Sequence, residues 1–449
     1  MAEDKNFKEL LEKQTESVAR TILTNFFDES SFVETRRFLS SEGEGCAVVT
    51  GYGYVDGAPV YAFADDPDVK SGGMDKIASS KIRDIYSMAA KNGSPVIGFY
   101  NSKGGDVKEG QALMAAYSNI ITESAKISGV VPQISVVYGV CGGIRATLCC
   151  MADFVIMLKD AELFLTPPFL AEDKLYGAGK AESAAKSGTA NIICDGIEDA
   201  LEKARFLIKI LPQNNLELSG NDAYMENTGN ITEGIKGLDM IKAVADLESV
   251  IPINEGFGTE AVTSFGSINW RTIGFVCADN GRISGAACAK IARFVNICDA
   301  FSIPVVTFID SAGFELSNAA ELSGCIRDTA KLAGIYNSAT TQKITVITGE
   351  AVGAPALALG CFGAGSDICI ALENSVISPI SPKAAAEFLK TDEAEYKIDK
   401  ASACSAIREG LIDRIVKTEN LRIALTSAID ITSGKRELNP SRKHINIVF

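Results

Sequence analysis

The parts of this 449-residue chain that could do chemistry are backbone turns more than side chains. Gly104-Gly105, Gly142-Gly143-Ile144, Gly313-Phe314 and Gly353-Ala354 each follow an apolar, β-rich run: PVIGFYNSK, ISVVYGVC, PVVTFIDSA and ITVITGEAV. In a parallel α/β sheet, ligands bind beyond the carboxyl ends of the strands, where glycine turns expose backbone amides. Two amides aimed at one point form an oxyanion hole, able to stabilise a thioester enolate or a similar anion without a titrating side chain. A lone Gly-Gly more often only turns a corner. Recurrence at matched positions favours a functional role here.

Side chains offer less. The sequence has one histidine, His444, five residues before Phe449 in NPSRKHINIVF, where a surface or contact role is expected. A histidine base inside a cleft is therefore not expected from the same protomer. There is no G-x-x-x-x-G-K-[ST] loop for a nucleotide triphosphate and no H-E-x-x-H or C-x-x-C cluster for zinc, so no metal site is expected. Glu109, Asp153 and Glu350 lie near the candidate turns and could serve as acids or bases, although structural carboxylates are commoner.

The elements that must position these turns are written twice. Residues 81–105 match residues 290–314 without a gap at an offset of 209, Pro95 on Pro304 and Asn101 on Asp310. ISVVYGVCGGI at 134–144 then falls on ITVITGEAVGA at 344–354 with an offset of 210. Each copy predicts an amphipathic helix, a proline at a strand entrance, a strand buried on both faces and a glycine turn. A further pair of strands follows in each half, DFVIML with LFLTPP and DICIAL with SVISPIS. So long a period indicates duplication of a whole domain. The helix IEDALEKARFLIKI ends before Pro212, and polar residues 213–234 read as the linker, giving expected domains 1–225 and 226–449.

Length, composition and charge agree with this picture. The chain is long enough for two domains of roughly 200 residues. Its net charge of −14 argues against nucleic acid as the main ligand, though not against a small phosphorylated one. Twelve cysteines, mostly in apolar runs, predict buried reduced thiols in a cytoplasmic protein. MAEDKNFKELLEKQ lacks the apolar core of a signal peptide. The apolar neighbourhood 131–158 is broken by Gln133, Arg145 and Asp153, so no run approaches the roughly 20 residues that span a bilayer.

These stretches, with GVCGGIRATLCCMADFVIMLKDAELFLTPP, KSGTANIICDGIEDALEKARFLIKILPQNN and NPSRKHINIVF, resemble the carboxyltransferase family of biotin-dependent acyl-CoA carboxylases and decarboxylases, the propionyl-CoA and methylmalonyl-CoA type. The resemblance covers most of the chain in the family's order. It implies an α/β fold of two tandem crotonase-like (ClpP/crotonase) ββα-spiral domains related by internal duplication, the first binding acyl-CoA and the second biotin. It implies a site shared between the first domain of one protomer and the second of another, in a hexamer built from dimers. It further implies that carboxybiotin would release carbon dioxide, that biotin's ureido nitrogen would then take the α-proton, and that one hole would hold the enolate and the other the ureido oxygen. Gly142, Gly143 and Ile144 would surround the thioester oxygen, with Gly353 and Ala354 at biotin. The implied binding residues are Gly72, Gly73, Lys81, Gly104, Gly105, Gly313 and Phe314.

Some positions depart from the family's pattern. Its D-S-G-G-A-R turn is NSKGGD here, with Lys103 for a glycine and Asp106 for the arginine; its C-A-G-G-A is CGGIR and its A-Y-G-G-A is AVGAP. An ungapped match sets Pro355, which has no N–H, on an alanine donor; a shift to Gly353 and Ala354 loses nothing. Ser183 and Asn191 stand where the family often has histidines. The A-M-K-M biotin attachment motif, an ATP-binding carboxylase domain and a zinc ribbon are missing from the sequence. Biotin is thus expected on a separate biotin carboxyl carrier protein, with a biotin carboxylase or membrane decarboxylase subunit as further partner. Two alternatives stay open: a biotin-independent crotonase-type acyl-CoA decarboxylase, and a degenerate subunit that binds CoA without turnover.

Overall fold

A computed structural model describes residues 16–39, 45–173, 177–218, 220, 224–361, 363–441 and 445–446; His444 lies outside them. The chain divides into two compact units between Glu217 and Leu218, within the polar segment read as the linker and upstream of the expected boundary at 225.

The first unit holds one mixed sheet of eight strands: β1 (Val33–Thr35), β2 (Val48–Val55), β3 (Ala58–Asp65), β4 (Val96–Ser102), β5 (Gln133–Gly142), β6 (Phe154–Leu158), β7 (Glu162–Phe164) and β8 (Ile192–Cys194). The order is β1-β2-β3-β4-β5-β6-β8, with β7 beside the end of β5. Strands β1 to β3 pair antiparallel, and from β3 onward every pair is parallel.

The second unit repeats this plan with β9 (Ile251–Ile253), β10 (Val262–Ile268), β11 (Arg271–Ala278), β12 (Val305–Ser311), β13 (Lys343–Val352), β14 (Ile368–Leu372), β15 (Val376–Ser378) and β16 (Arg414–Val416). Its order is β9-β10-β11-β12-β13-β14-β16, with β15 beside β13. The hairpins β2-β3 and β10-β11 turn on Asp56-Gly57 and Asn269-Trp270, all four residues at positive φ, the geometry that matches strand twist in a two-residue loop.

The parallel strands are fed by helices that read as expected. Lys76–Asn92 starts at Asp75, whose carboxylate accepts the Ala78 N–H at 2.8 Å, and ends at Gly93 in the left-handed region. Its inner face, Ala78, Lys81, Ile82, Ile85 and Ala89, is buried against β2 and β3. The matched helix Gly285–Ala300 starts at Ser284 in the same way, accepting the Ala287 N–H at 3.1 Å. Each unit has its own apolar core, around Phe63, Ile82 and Val137 in the first and around Phe275, Phe308 and Val346 in the second.

Lys81 lies within the first core, its ammonium donating to the Val48 carbonyl at 2.7 Å, rather than at the strand-end turns. Lys290, its match at offset 209, donates to the Ala261 carbonyl at 2.7 Å in the second. Burial lowers both ammonium groups, Lys290 to about 8.

Candidate active site

Strand β5 ends at Gly142. Gly143, with φ 63° and ψ −137°, reverses the chain into the helix Ile144–Cys150. An L side chain is strained at that φ, so glycine is what lets the helix start directly on the strand. The Gly143 N–H is already given to the Phe164 carbonyl of β7 at 3.0 Å. The Ile144 N–H, at the first helical position, has no acceptor within its own helix.

The second unit builds the same turn. Gly353, with φ 70° and ψ −154°, gives its N–H to the Ser378 carbonyl of β15 at 3.0 Å, and Ala354 opens the helix Ala354–Ala358. Pro355 occupies the second helical position, where an N–H would have no intrahelical acceptor either. The proline therefore costs the helix nothing and leaves Ala354 matched to Ile144.

The neighbouring strand end contributes the second turn. After β4, Ser102 Oγ accepts the Gly104 N–H at 3.2 Å and donates to the Gly104 carbonyl at 3.1 Å. Met74 clasps the chain from the side, donating to the Gly104 carbonyl at 3.0 Å and accepting the Asp106 N–H at 2.8 Å. After β12, Ser311 Oγ accepts the Gly313 N–H at 3.3 Å and donates to the Gly313 carbonyl at 3.1 Å. Ile283 there donates to the Gly313 carbonyl at 3.1 Å and accepts the Glu315 N–H at 3.0 Å. Because polar groups alternate along extended chain, the Gly105 and Phe314 N–H groups turn to the side away from Met74 and Ile283. Arg282 Nη1 donates to the Phe314 carbonyl at 3.0 Å.

The side chains around these turns differ in charge. In the first unit a cavity of about 360 Å³ is lined by Lys70, Ser71, Gly73, Lys103, Gly104, Gly105, Asp106, Val107 and Lys108. Gly72 sits below it, its Cα facing the Asn101 carbonyl so closely that a Cβ would come within 2.2 Å. In the second unit Asp310, at the place of Asn101, pairs with Lys236, which is held above the usual ammonium range by that hydrogen bond. Asn101 and Asp310 do one common job: their Oδ1 atoms accept the N–H groups of Val140 at 3.2 Å and Glu350 at 2.7 Å, respectively.

The acidic candidates are otherwise engaged or displaced. Glu109 accepts the Lys76 N–H at 3.0 Å at a helix start, and Asp153 accepts the Gln133 N–H at 2.9 Å at the entrance of β5, the opposite end of the sheet. Glu350 lies exposed on β13. Ser183 donates to the Gly177 carbonyl at 2.7 Å, and buried Asn191 accepts the Val155 N–H at 2.6 Å. No group of three or more His, Cys, Asp or Glu able to hold a metal occurs among the described residues.

Residues 12–447 match the carboxyl transferase domain family. The chain belongs to that family. The carboxyltransferase is 32% identical to the methylmalonyl-CoA decarboxylase subunit alpha of Veillonella parvula, over 97% of this chain and 93% of the relative. It is 30% identical to the methylmalonyl-CoA carboxyltransferase 12S subunit of Propionibacterium freudenreichii subsp. shermanii, over 96% and 92%. The crystal structure of transcarboxylase 12S, described as a hexamer assembly with hydrolysed methylmalonyl-coenzyme A bound, superposes with a TM-score of 0.90 at 28% identity, over 99% of this chain and 95% of that one. The fold is crotonase-like, and the protein is an enzyme of the biotin-dependent acyl-CoA carboxyltransferase class.

Proposed function

We propose that the protein moves a carboxyl group between a short-chain acyl-CoA of the methylmalonyl-CoA or propionyl-CoA type and biotin borne on a separate carrier protein. The observation that carries this reading is the matched pair of turns: Ile144 and Ala354 stand alike at the first helical position, each behind a glycine whose own N–H is tied back.

In the first unit the Ile144 N–H, with that of Gly105, receives the thioester oxygen and holds the negative charge of the enolate. The cavity lined by Lys70, Lys103 and Lys108 takes phosphate groups of CoA, since ammonium groups and strand-end amides suit a polyanion. In the second unit the Ala354 and Phe314 N–H groups would hold biotin's ureido oxygen, an acceptor that two backbone amides can bind. Bound biotin supplies the carboxyl group and the ureido nitrogen that exchanges a proton with the α-carbon. Pro355 suggested a biotin-independent enzyme; with Ala354 matched to Ile144, that reading loses its support.

Large apolar side chains crowd the strand-end faces without cover: Val107, Phe169 and Leu170 in the first unit, Leu316, Leu322, Ile326 and Phe388 in the second. They support a homo-oligomer whose copies cover these faces, and the relatives' names support a decarboxylase or carboxylase complex with further subunits. Twelve free thiols, ten of them partly or fully buried, fit a reducing cytoplasm.

The test is to incubate purified protein with methylmalonyl-CoA and malonyl-CoA, with and without a biotinylated carrier domain, and to follow decarboxylation and carrier carboxylation by mass spectrometry. Carrier-dependent turnover is expected. Equal turnover without carrier, or CoA binding without any turnover, would overturn the assignment.

A further inference from the structure

Arg145 follows Ile144 at the second position of the helix, and its side chain has no solvent exposure. Its guanidinium is paired with Asp65, the last residue of β3, which is equally enclosed. Nε lies 3.3 Å from Oδ2, and Nη2 donates to Oδ1. The rings of Tyr100 and Phe63 flank the group, their centroids 4.6 and 5.3 Å from Cζ. Nη1 has no hydrogen-bond partner among the described residues. Burial opposes the charge, and the Asp65 carboxylate outweighs it, holding the guanidinium above its ordinary value.

Stability alone is a poor reason for such a pair. Taking two charges out of water is costly, and an apolar pair of similar volume is often as stable or more so. What the pair does accomplish is geometric. The Asp65 carboxylate also accepts the Asn101 N–H at 3.2 Å; Asn101 in turn accepts the Val140 N–H, and the Tyr138 hydroxyl donates to the Asp65 carbonyl. The ends of β3, β4 and β5 and the start of the helix are thus closed into one network. Ile144 stands between Gly143, held by Phe164, and Arg145, held by Asp65.

We propose that Arg145 and Asp65 are positioning residues that fix the direction of the Ile144 N–H toward the thioester oxygen. The proposal rests on the carboxyltransferase reading of that turn. The second unit has Pro355 where the first has Arg145, and the proline ring fixes φ in the first helical turn covalently. One half therefore holds its turn by a buried ion pair and the other by a ring.

The test compares wild type, Arg145→Met, Arg145→Lys, Asp65→Asn and the double variant Asp65→Asn/Arg145→Met as full chains. Thermal midpoint, binding of CoA alone, and kcat and KM for methylmalonyl-CoA with biotinylated carrier are measured on each. Arg145→Met is expected to lower kcat about 10²-fold, as for loss of an oxyanion donor, and to leave CoA binding unchanged. KM is expected to stay within about threefold, because the contact is made mainly in the transition state. The double variant, which buries no lone charge, is expected to regain the thermal midpoint but not kcat. Recovery of kcat together with stability would show a purely structural pair and overturn the proposal. If Arg145→Met does not fold, Arg145→Lys, which keeps the charge without the fork, is expected to fold with reduced kcat; unchanged kcat in it would also overturn the proposal. A wild-type protein without carrier-dependent turnover would instead refute the functional reading, and the positioning role with it.

Discussion

Gly143 and Gly353 adopt φ of 63° and 70°, and each ties its N–H to a short neighbouring strand, yet the residue two places on is a buried arginine in one half and a proline in the other. The same contrast runs along the adjoining strand: Asn101 meets Arg145's partner Asp65 through its N–H, while Asp310 meets Lys236. Around these, the first half lines a cavity with lysines. After duplication the backbone hydrogen bonds that present the N–H groups stayed alike, and the side chains that support them diverged. A hole made of main chain tolerates this, because its donors survive almost any substitution except proline or a shift of the peptide plane.

The sharpest break would be Ile144→Pro against Ala354→Pro, since proline is accepted at the first helical position and removes the N–H without breaking the helix. Each is expected to lower carrier-dependent kcat by about 10²–10³. Loss in Ile144→Pro alone, in a kcat assay of both, would show that the second turn does not take part in the reaction.

Next in size is Gly139→Ala against Gly349→Ala. A Cβ would lie 2.3 Å from the Asn101 side chain in the first and 2.1 Å from that of Asp310 in the second. Each is expected to cost about 1–3 kcal/mol by overpacking, read by denaturant unfolding. Asn101→Ala should rescue Gly139→Ala in part, because it removes the atoms that clash but also the acceptor of the Val140 N–H.

The pH dependence of stability separates the halves more finely. Lys290 is lowered by burial to about 8 from its ordinary 10.5. A folded state that binds its proton less tightly than the unfolded chain gains stability as pH rises from about 8 to 10.5. The thermal midpoint of wild type relative to Lys290→Met is therefore expected to rise across that window. A flat difference would show that the buried ammonium is not destabilised.

The smallest effect is expected from Asp310→Asn. Lys236 is more than half exposed, so the ion pair contributes little, about 0–1 kcal/mol. The Glu350 N–H keeps an acceptor, and a thermal midpoint close to wild type is the expected result.

The duplication, the strand-end turns and the helix from Lys81 to Asn92 were legible because they rest on local pattern: apolar runs, prolines at strand entrances and glycines at exits; the helix's first turn, from Asp75, was not read. The antiparallel hairpins were not read from the sequence. Asp56-Gly57 carries the signal of a two-residue turn, whereas Asn269-Trp270 reaches the same positive φ without a glycine. Lys81 matched Lys290 in register, but its position among Ala78, Ile82 and Ile85 on the buried face was the signal that it points inward. The Arg145–Asp65 pair joins residues 80 positions apart, and no local pattern reports such a contact. The sequence likewise leaves open which amide a turn keeps and which it presents, because the Phe164 and Ser378 carbonyls settle that only after β7 and β15 are in place.

Lys81 and Lys290 are also a matched pair of internal reporters. Each amine is enclosed and bonded to a carbonyl of its own sheet or the loop before it, while most other lysines lie at the surface. An amine-reactive reagent can reach either one only when its helix lifts off, so the acylation rate at each position reads out the local opening of one half independently of the other.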